Sequence, residues 1–347
     1  MRAAEKTICF ETYIYWSGNI GKEFADALSK KARAGVKVHV LLDWVGTGKM
    51  ESTILDEMES SGAEIEKYHP LRWYNLGRMN NRTHRKLLIV DGKIGFTGGV
   101  GIADKWLGHA QDPDHWRDSH YSLEGPAVAQ MQAAFLDNWI KTRGEVLHGE
   151  EYFPAPSASA STAGDVQAQV FKSSSREGSE SVRLMYLLSI AAAQKSIRLE
   201  AAYFVPDDLS LETLVAARHR GVDVEIIVPG TKMDSKITRK ASRSRWGDLL
   251  ASGVRIYEFQ PTMFHCKVMI VDDLWVSVGS TNFDNRSFRL NDEANLNVYD
   301  RSFAIEQLEV FEADKLRSRQ VTLDAWRGRP FLEKAAEHVT SLFRFLL

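Results

Sequence analysis

His84-Arg85-Lys86-Leu87-Leu88-Ile89-Val90-Asp91 and His265-Cys266-Lys267-Val268-Met269-Ile270-Val271-Asp272 are one pattern, H-x-K-x4-D, written twice. Small residues follow both copies at matched distances: Gly98-Gly99 after the first, Gly279-Ser280-Thr281-Asn282 after the second. One copy alone is compatible with any buried strand that happens to carry a His and a Lys. Two copies in like contexts point to one composite site with two histidines and two lysines, a set suited to chemistry on a phosphate.

Alternate residues of a β-strand share a face. His84 and Lys86 therefore point one way, as do His265 and Lys267, while Arg85 and Cys266 point the other. The apolar runs that follow predict strands covered on both faces. Asp91 and Asp272 close these runs with the opposite parity to their histidines, which suits ion pairing or turn fixing at least as well as contact with a shared ligand. Lysine is not a usual metal ligand, so the motifs do not read as a metal site. Asp112, Asp114, His115 and His120 lie close in sequence but read more plainly as a polar loop.

The motifs sit inside a longer internal repeat. Ala3-Ala4-Glu5-Lys6-Thr7-Ile8 is echoed by Ala192-Ala193-Gln194-Lys195-Ser196-Ile197, Arg33-Ala34-Gly35-Val36 by His219-Arg220-Gly221-Val222, and Ser61-Gly62-Ala63-Glu64-Ile65 by Ser252-Gly253-Val254-Arg255-Ile256. Each half reads as strand, helix, strand, helix, strand and then the motif strand, which predicts an α/β architecture. Gly35 and Gly221 occupy the expected helix C-terminal position. The second half opens with an extra strand over 166–171 and a helix over 179–190 that have no counterpart at the start of the first half; the expectation is a missing N-terminal element there and an unpaired edge in the first sheet. Pro126 to Arg143 predicts a helix, with Val128, Met131, Phe135 and Trp139 on one face and Gly144 ending it. Pro154 to Gly164 has a linker composition. The expected division is 1–150, a linker over 151–165, and 166–347.

Of the 347 residues, 44% are apolar and 26% charged, as in a globular protein. The formal net charge of −2 leaves any attraction to an anionic substrate to local groups. No apolar run approaches the ~20 residues of a membrane span, no signal peptide is visible, and the two cysteines, Cys9 and Cys266, do not suggest a disulfide framework.

The repeated motif, together with Phe10 to Trp16, Asn80 to Lys86, Phe96-Thr97-Gly98-Gly99, Trp116-Arg117-Asp118, Tyr203 to Pro206 and Gly279 to Ser287, resembles the phospholipase D superfamily over nearly the whole chain, and within it the bacterial cardiolipin synthases. The resemblance implies two α/β/α sandwich domains related by a pseudo-twofold, with the motifs meeting at their interface. It implies a phosphohistidine intermediate, no metal and no cofactor. The implied catalytic set is His84, Lys86, Asp91, His265, Lys267 and Asp272, with His84 the nucleophile and His265 the general acid. Gly99, Ser280 and Asn282 would bind or orient the substrate. Asp118 and Glu293 would each hydrogen-bond the histidine of its own half. The implied partners are phosphatidylglycerol and a membrane surface, on the cytoplasmic side of the bacterial membrane and bound peripherally, with no nucleic acid expected. Leu71 to Leu76, the basic run Lys232 to Arg245 and the C-terminal Val339 to Leu347 are candidate membrane contacts; a solvated helix face is an equal alternative for the basic run, and packing on a domain is the plainer reading of the C-terminal segment. Lipid hydrolysis, nucleic-acid cleavage and non-catalytic lipid binding remain rival readings; a nuclease should carry a long basic track that this chain lacks.

Overall fold

β1 (Thr7–Thr12), with Ile8 and Phe10 facing one side and Cys9 the other, is the central strand of the first sheet. The computed structural model describes residues 1–70, 81–155, 164–174 and 180–341. After β1 come α1 (Asn19–Arg33), β2 (Lys37–Asp43), α2 (Ser52–Ser60), β3 (Glu64–Tyr68), β4 (Leu87–Val90), β5 (Ile94–Gly98), β6 (His120–Glu124) and α3 (Ala127–Arg143). The sheet order is β3-β2-β1-β4-β5-β6. β1, β2 and β3 run parallel, as right-sized strand–helix–strand units require, and β4, β5 and β6 return antiparallel.

The second half repeats this plan. Its elements are β7 (Gln167–Ser173), α4 (Ser181–Ala192), β8 (Ser196–Ala201), β9 (Phe204–Val205), α5 (Asp208–His219), β10 (Asp223–Pro229), α6 (Lys236–Ser244), α7 (Trp246–Ser252), β11 (Arg255–Phe259), β12 (Lys267–Val271), β13 (Trp275–Gly279), β14 (Phe283–Asp284), α8 (Asn285–Arg289), β15 (Glu293–Tyr299), α9 (Arg301–Leu316), β16 (Ser318–Val321), α10 (Leu323–Arg327) and α11 (Phe331–Ser341). Its sheet order, β16-β11-β10-β8-β12-β13-β15-β7, contains the first sheet's six-strand order with one strand added at each edge. β7 and α4 are the extra strand and helix expected at the start of this half. β7 flanks β15, whereas β6, the equivalent of β15, pairs with β5 alone among the described strands.

Strand alternation builds three apolar layers. Ile8, Phe10, Val38 and Val40 pack outward against α1 and α2, where Leu28 and Met58 are fully buried. Met269, Leu199 and Ile226 pack outward against α4, α5 and α7 in the second half. The inward faces share one core: Cys9, Leu41 and Ile89 meet Val128, Met131, Phe135 and Trp139 of α3, and the same cluster runs on to Val268, Ile270 and Phe311. The face predicted for α3 is the buried one, Pro126 is its N-cap residue, and Gly144 ends it in the left-handed region (φ 76°). At about 25 cal/mol per Å² of apolar surface, a core continuous across both halves fixes their relative placement, and with it the site between them.

Three expectations change. The paired strands begin at Leu87 and Lys267, so His84, Lys86 and His265 precede the ladder; the alternation of faces survives because the lead-in is extended. The expected linker starts too early, since Tyr152 is buried and its hydroxyl lies 2.8 Å from His39 Nε2. The basic run is largely a structural device: Arg239 reaches Glu258 at 2.6 Å, Arg243 approaches Glu333 and Glu337, and Arg245 bonds Asp208, leaving Lys232, Lys236 and Lys240 outward. α11 packs on the chain through Glu337, which Arg329 also holds at 2.7 Å. Leu71 to Leu76, and the C-terminal segment beyond Ser341, lie outside the described residues. No helix among the described residues is long and apolar enough to cross a membrane. Cys9 and Cys266 are buried free thiols.

Candidate active site

Two short parallel bridges assemble the site. Thr83 pairs with Asp292 and Phe264 pairs with Arg117, each bridge joining one half to the other. His84 N donates to Asp292 O (2.9 Å) and His265 N donates to Arg117 O (2.7 Å). The next residue along each partner is a carboxylate. His84 Nδ1 therefore lies 3.0 Å from Glu293 Oε2, and His265 Nδ1 lies 2.6 Å from Asp118 Oδ2. The expectation that each acid orients the histidine of its own half is overturned. The pairing is crossed, because the lead-in to each motif strand hydrogen-bonds the facing half rather than its own sheet.

Each carboxylate is held in turn. Ser280 Oγ donates to Glu293 Oε2 (2.5 Å) and Asn291 Nδ2 to Glu293 Oε1 (3.3 Å). Trp106 Nε1 donates to Asp118 Oδ2 (2.8 Å), and the Ser119 amide to Asp118 Oδ1 (2.8 Å). Burial alone would raise both carboxyls, but the histidine, lysine and hydroxyl or indole partners outweigh it and hold both below the ordinary range. Ionised carboxylates fix Nδ1–H as the donor on each ring, which leaves the lone pair of the neutral imidazole on Nε2; on His265 that atom lies 3.3 Å from Lys267 Nζ. Burial is also the leading cause of the low His84 pKa, about 4; Glu293 opposes it and Lys86 adds to it. His265 is lowered by burial and then by Lys267, against Asp118.

The lysines lie beside their histidines. Lys86 Nζ donates to His84 O (2.8 Å) and Lys267 Nζ to His265 O (2.7 Å), so backbone carbonyls aim both ammoniums. Burial, and then Lys267, lower the Lys86 pKa to about 7; Lys267 is lowered chiefly by burial. Two buried cations this close form a socket that an anion would relieve.

His84, Lys86, His265 and Asn282 line one cavity of about 330 Å³. The Asn282 side-chain oxygen has no protein hydrogen-bond partner. Tyr13, edge-on to His84 at 5.2 Å, and Tyr203, edge-on to His265 at 6.4 Å, also line the cavity. Arg82, Trp116, Asp234, Arg286 and Asn291 also line it and were not singled out in sequence. Arg82, Trp116, Tyr203 and Arg286 fall in stretches that carry the family resemblance, the one signal that could have marked them. Ser280 and Gly99 lie behind the wall rather than in it. Gly99 is packed so tightly that a Cβ there would meet Asp118 Oδ1 at 2.1 Å.

Asp91 and Asp272 do not reach the cavity, which corrects their place in the catalytic set. Each sits in the left-handed region (φ 53° and 56°) that Asp tolerates better than most side chains. Asp91 accepts from the amides of Glu5, Lys6 and Thr7, and Asp272 from those of Gln194, Lys195 and Ser196. They clamp the starts of β1 and β8 to the ends of the motif strands. In the polar loop, Asp112 pairs with His115 at 2.7 Å while His120 starts β6. Glu200, Cys266 and Asp314 are the one metal-like cluster among the described residues, and Arg117 already supplies the cation there through Asp314 (2.7 Å).

A sequence model of the family described as "Cardiolipin synthase, PLD-like domain" matches residues 1–139 and 186–315. The cardiolipin synthase of Alkalihalophilus pseudofirmus is 35% identical over 348 residues, covering all of this chain and 69% of that protein. The chain belongs to the cardiolipin synthase family of phospholipase D-like proteins. The major cardiolipin synthase of Bacillus subtilis is also 35% identical, with 99% of this chain and 71% of that protein aligned. Among solved structures, the phosphatidylserine synthase of Haemophilus influenzae superposes with a TM-score of 0.74 at 15% identity, over 100% of this chain and 91% of that one, which shows the shared fold. The expected two-sandwich phospholipase D architecture and the expected transferase of this superfamily both stand.

Proposed function

We propose that this chain makes cardiolipin from phosphatidylglycerol through a phosphatidyl-histidine intermediate. The observation that carries the reading is the pair of crossed His–carboxylate couples, each with a lysine beside it, whose two histidines open on one cavity. His84 Nε2 attacks phosphorus and the bond to the headgroup oxygen breaks. His265 gives its proton to the departing alkoxide, releasing glycerol. His265 then takes the proton from a hydroxyl of a second phosphatidylglycerol; that oxygen attacks phosphorus and His84 leaves. Lys86 and Lys267 neutralise the phosphoryl oxygens, and Asn282 Nδ2 donates to them. Substrate charge near His265 counters the lowering effect of burial and lets it carry its proton.

The reading places the cavity mouth on the cytoplasmic-side membrane surface as a peripheral contact. Trp44 and Val45, 36% and 47% exposed in the loop after β2, support this, with Lys49 beside them. Read as repeats 1–150 and 166–347, each half would supply one member of both couples: His84 and Asp118 from the first, His265 and Glu293 from the second.

Incubation of the protein with phosphatidylglycerol liposomes, without added metal, tests the function by its products. Cardiolipin plus free glycerol supports it. Phosphatidic acid as the main product replaces it with hydrolysis, and no lipid product rejects both.

A further inference from the structure

The pseudo-twofold that makes the catalytic couples alike does not make the cavity walls alike. β2 and β10 occupy the same place in their sheets, and the loop after each reaches the cavity. On the His84 side the loop ends in Lys49, whose ammonium sits 4.1 Å above the Trp16 ring. The Trp16 indole donates to Gly46 O (3.1 Å), and Gly46 lies against the Tyr13 backbone, so this wall is tied to the ring that covers His84. On the His265 side the equivalent loop ends in Asp234. Its Oδ2 accepts a 2.6 Å hydrogen bond from the hydroxyl of Tyr203, the ring that faces His265. The two equivalent loops thus bring opposite charges to the cavity, Lys49 from one and Asp234 from the other.

The Asp234 carboxylate is ill placed to hold a phosphate. It is well placed to accept hydrogen bonds, since a carboxylate has lone pairs beyond the one Tyr203 uses. The proton shuttle assigned to His265 requires the alcohol to lie on this side. Both the departing glycerol and any incoming alcohol pass this wall.

We propose that Asp234, positioned by Tyr203, determines the specificity for the alcohol by accepting a hydrogen bond from a donor group on the carbon next to the one bearing the reacting hydroxyl. A neighbouring hydroxyl, as in a glycerol headgroup, satisfies it, as does the ammonium of an amino alcohol. A simple alkanol does not. The inference rests on the phosphatidyl-transfer reading and on His265 serving the alcohol. It names a recognition group that the family match does not supply.

The test offers 1,2-propanediol and 1-propanol at equal concentration to the full chain on phosphatidylglycerol vesicles. The ratio of the two phosphatidyl esters is read by mass spectrometry, with cardiolipin and phosphatidic acid recorded alongside. The wild type is expected to favour the diol by about tenfold, the worth of one charge-assisted hydrogen bond. Asp234→Ala should bring the ratio close to one. Tyr203→Phe, which keeps the ring against His265 but frees the carboxylate, should lower the ratio as well. Because a ratio is insensitive to how much protein is folded, a general loss of activity does not mimic the effect. A wild-type ratio near one, or an unchanged ratio in Asp234→Ala, overturns the proposal while leaving phosphatidyl transfer standing. No ester, cardiolipin or phosphatidic acid from the wild type overturns the underlying reading and this one with it.

Discussion

His84 and Glu293 lie 209 positions apart, in different halves of the chain, yet His84 Nδ1 sits 3.0 Å from Glu293 Oε2. His265 and Asp118 make the reciprocal couple at 2.6 Å. Neither half contains a complete histidine–carboxylate pair. Each sheet supplies one histidine to the other's acid, so the chemistry depends on the two halves being docked.

Crossed couples predict a pattern of energetic coupling. Glu293→Gln should lower kcat by on the order of 10²-fold or more, the usual scale for acid–base and orienting groups. Glu293→Gln added to His84→Ala should cost little further. Asp118→Asn combined with Glu293→Gln should multiply, since the two acids serve different histidines. A double-mutant cycle on initial rates checks this; additive His84 and Glu293 effects would sink the crossed arrangement.

The motif aspartates should matter for stability rather than turnover. Asp91→Ala and Asp272→Ala each remove a carboxylate that accepts three backbone amides, and should cost about 2 kcal/mol. Urea titration reads the loss. The fraction that remains folded should turn over at the wild-type kcat, and a large fall in kcat at unchanged stability would return these residues to the catalytic set.

Activity should fall on both sides of pH. The nucleophile needs an unprotonated ring, and burial lowers His84 to about 4, so its lone pair is present above that value and lost as pH drops through it. The anion socket needs a charged Lys86, which burial and Lys267 lower to about 7, so its cation is present below that value and lost as pH rises through it. The proton on His265, lowered in the same direction, is lost toward the alkaline side too. A kcat/KM profile for the free enzyme should therefore bend down near pH 4 on the acid side, and on the alkaline side start to fall with the His265 proton, lost below the ordinary imidazole value, before the Lys86 charge is lost near 7. A profile with no alkaline fall would contradict the paired buried lysines.

Gly99 is expected to be intolerant of even one methyl group. A Cβ would sit 2.1 Å from Asp118 Oδ1, and Asp118 has His265 and Trp106 on its other oxygen. Gly99→Ala should push the carboxylate off His265, lowering kcat with an overpacking cost of about 1–3 kcal/mol. Thermal melts and initial rates measured together separate the two effects; wild-type kcat in this variant would show that Asp118 does not need its present position.

Much of this was legible in the sequence because repetition is self-checking. The two H-x-K strings marked the histidines and lysines, and parity alone separated Arg85 and Cys266 from the ligand face. Parity also warned that Asp91 and Asp272 face away. The crossed pairing was not legible, because a symmetric repeat says nothing about which copy's acid meets which copy's histidine. That is decided by the Thr83–Asp292 and Phe264–Arg117 bridges, contacts between residues remote in sequence. The charges of Arg239, Arg243 and Arg245 were visible but their partners Glu258, Glu337 and Asp208 were not, so an internal ion-pair network resembled a membrane patch. The opposed signs of Lys49 and Asp234 acquire meaning only once both loops are placed on one cavity.

The most direct test of the central claim is the identity of the residue that carries the lipid during turnover. Wild-type protein mixed with phosphatidylglycerol micelles would be quenched under alkaline denaturing conditions, which spare phosphohistidine, then digested and mapped by mass spectrometry. The account predicts a phosphatidyl adduct on the peptide containing His84 and none on that containing His265. An adduct on His265 would reverse the assigned roles, and turnover to cardiolipin with no adduct on either histidine would contradict the covalent mechanism.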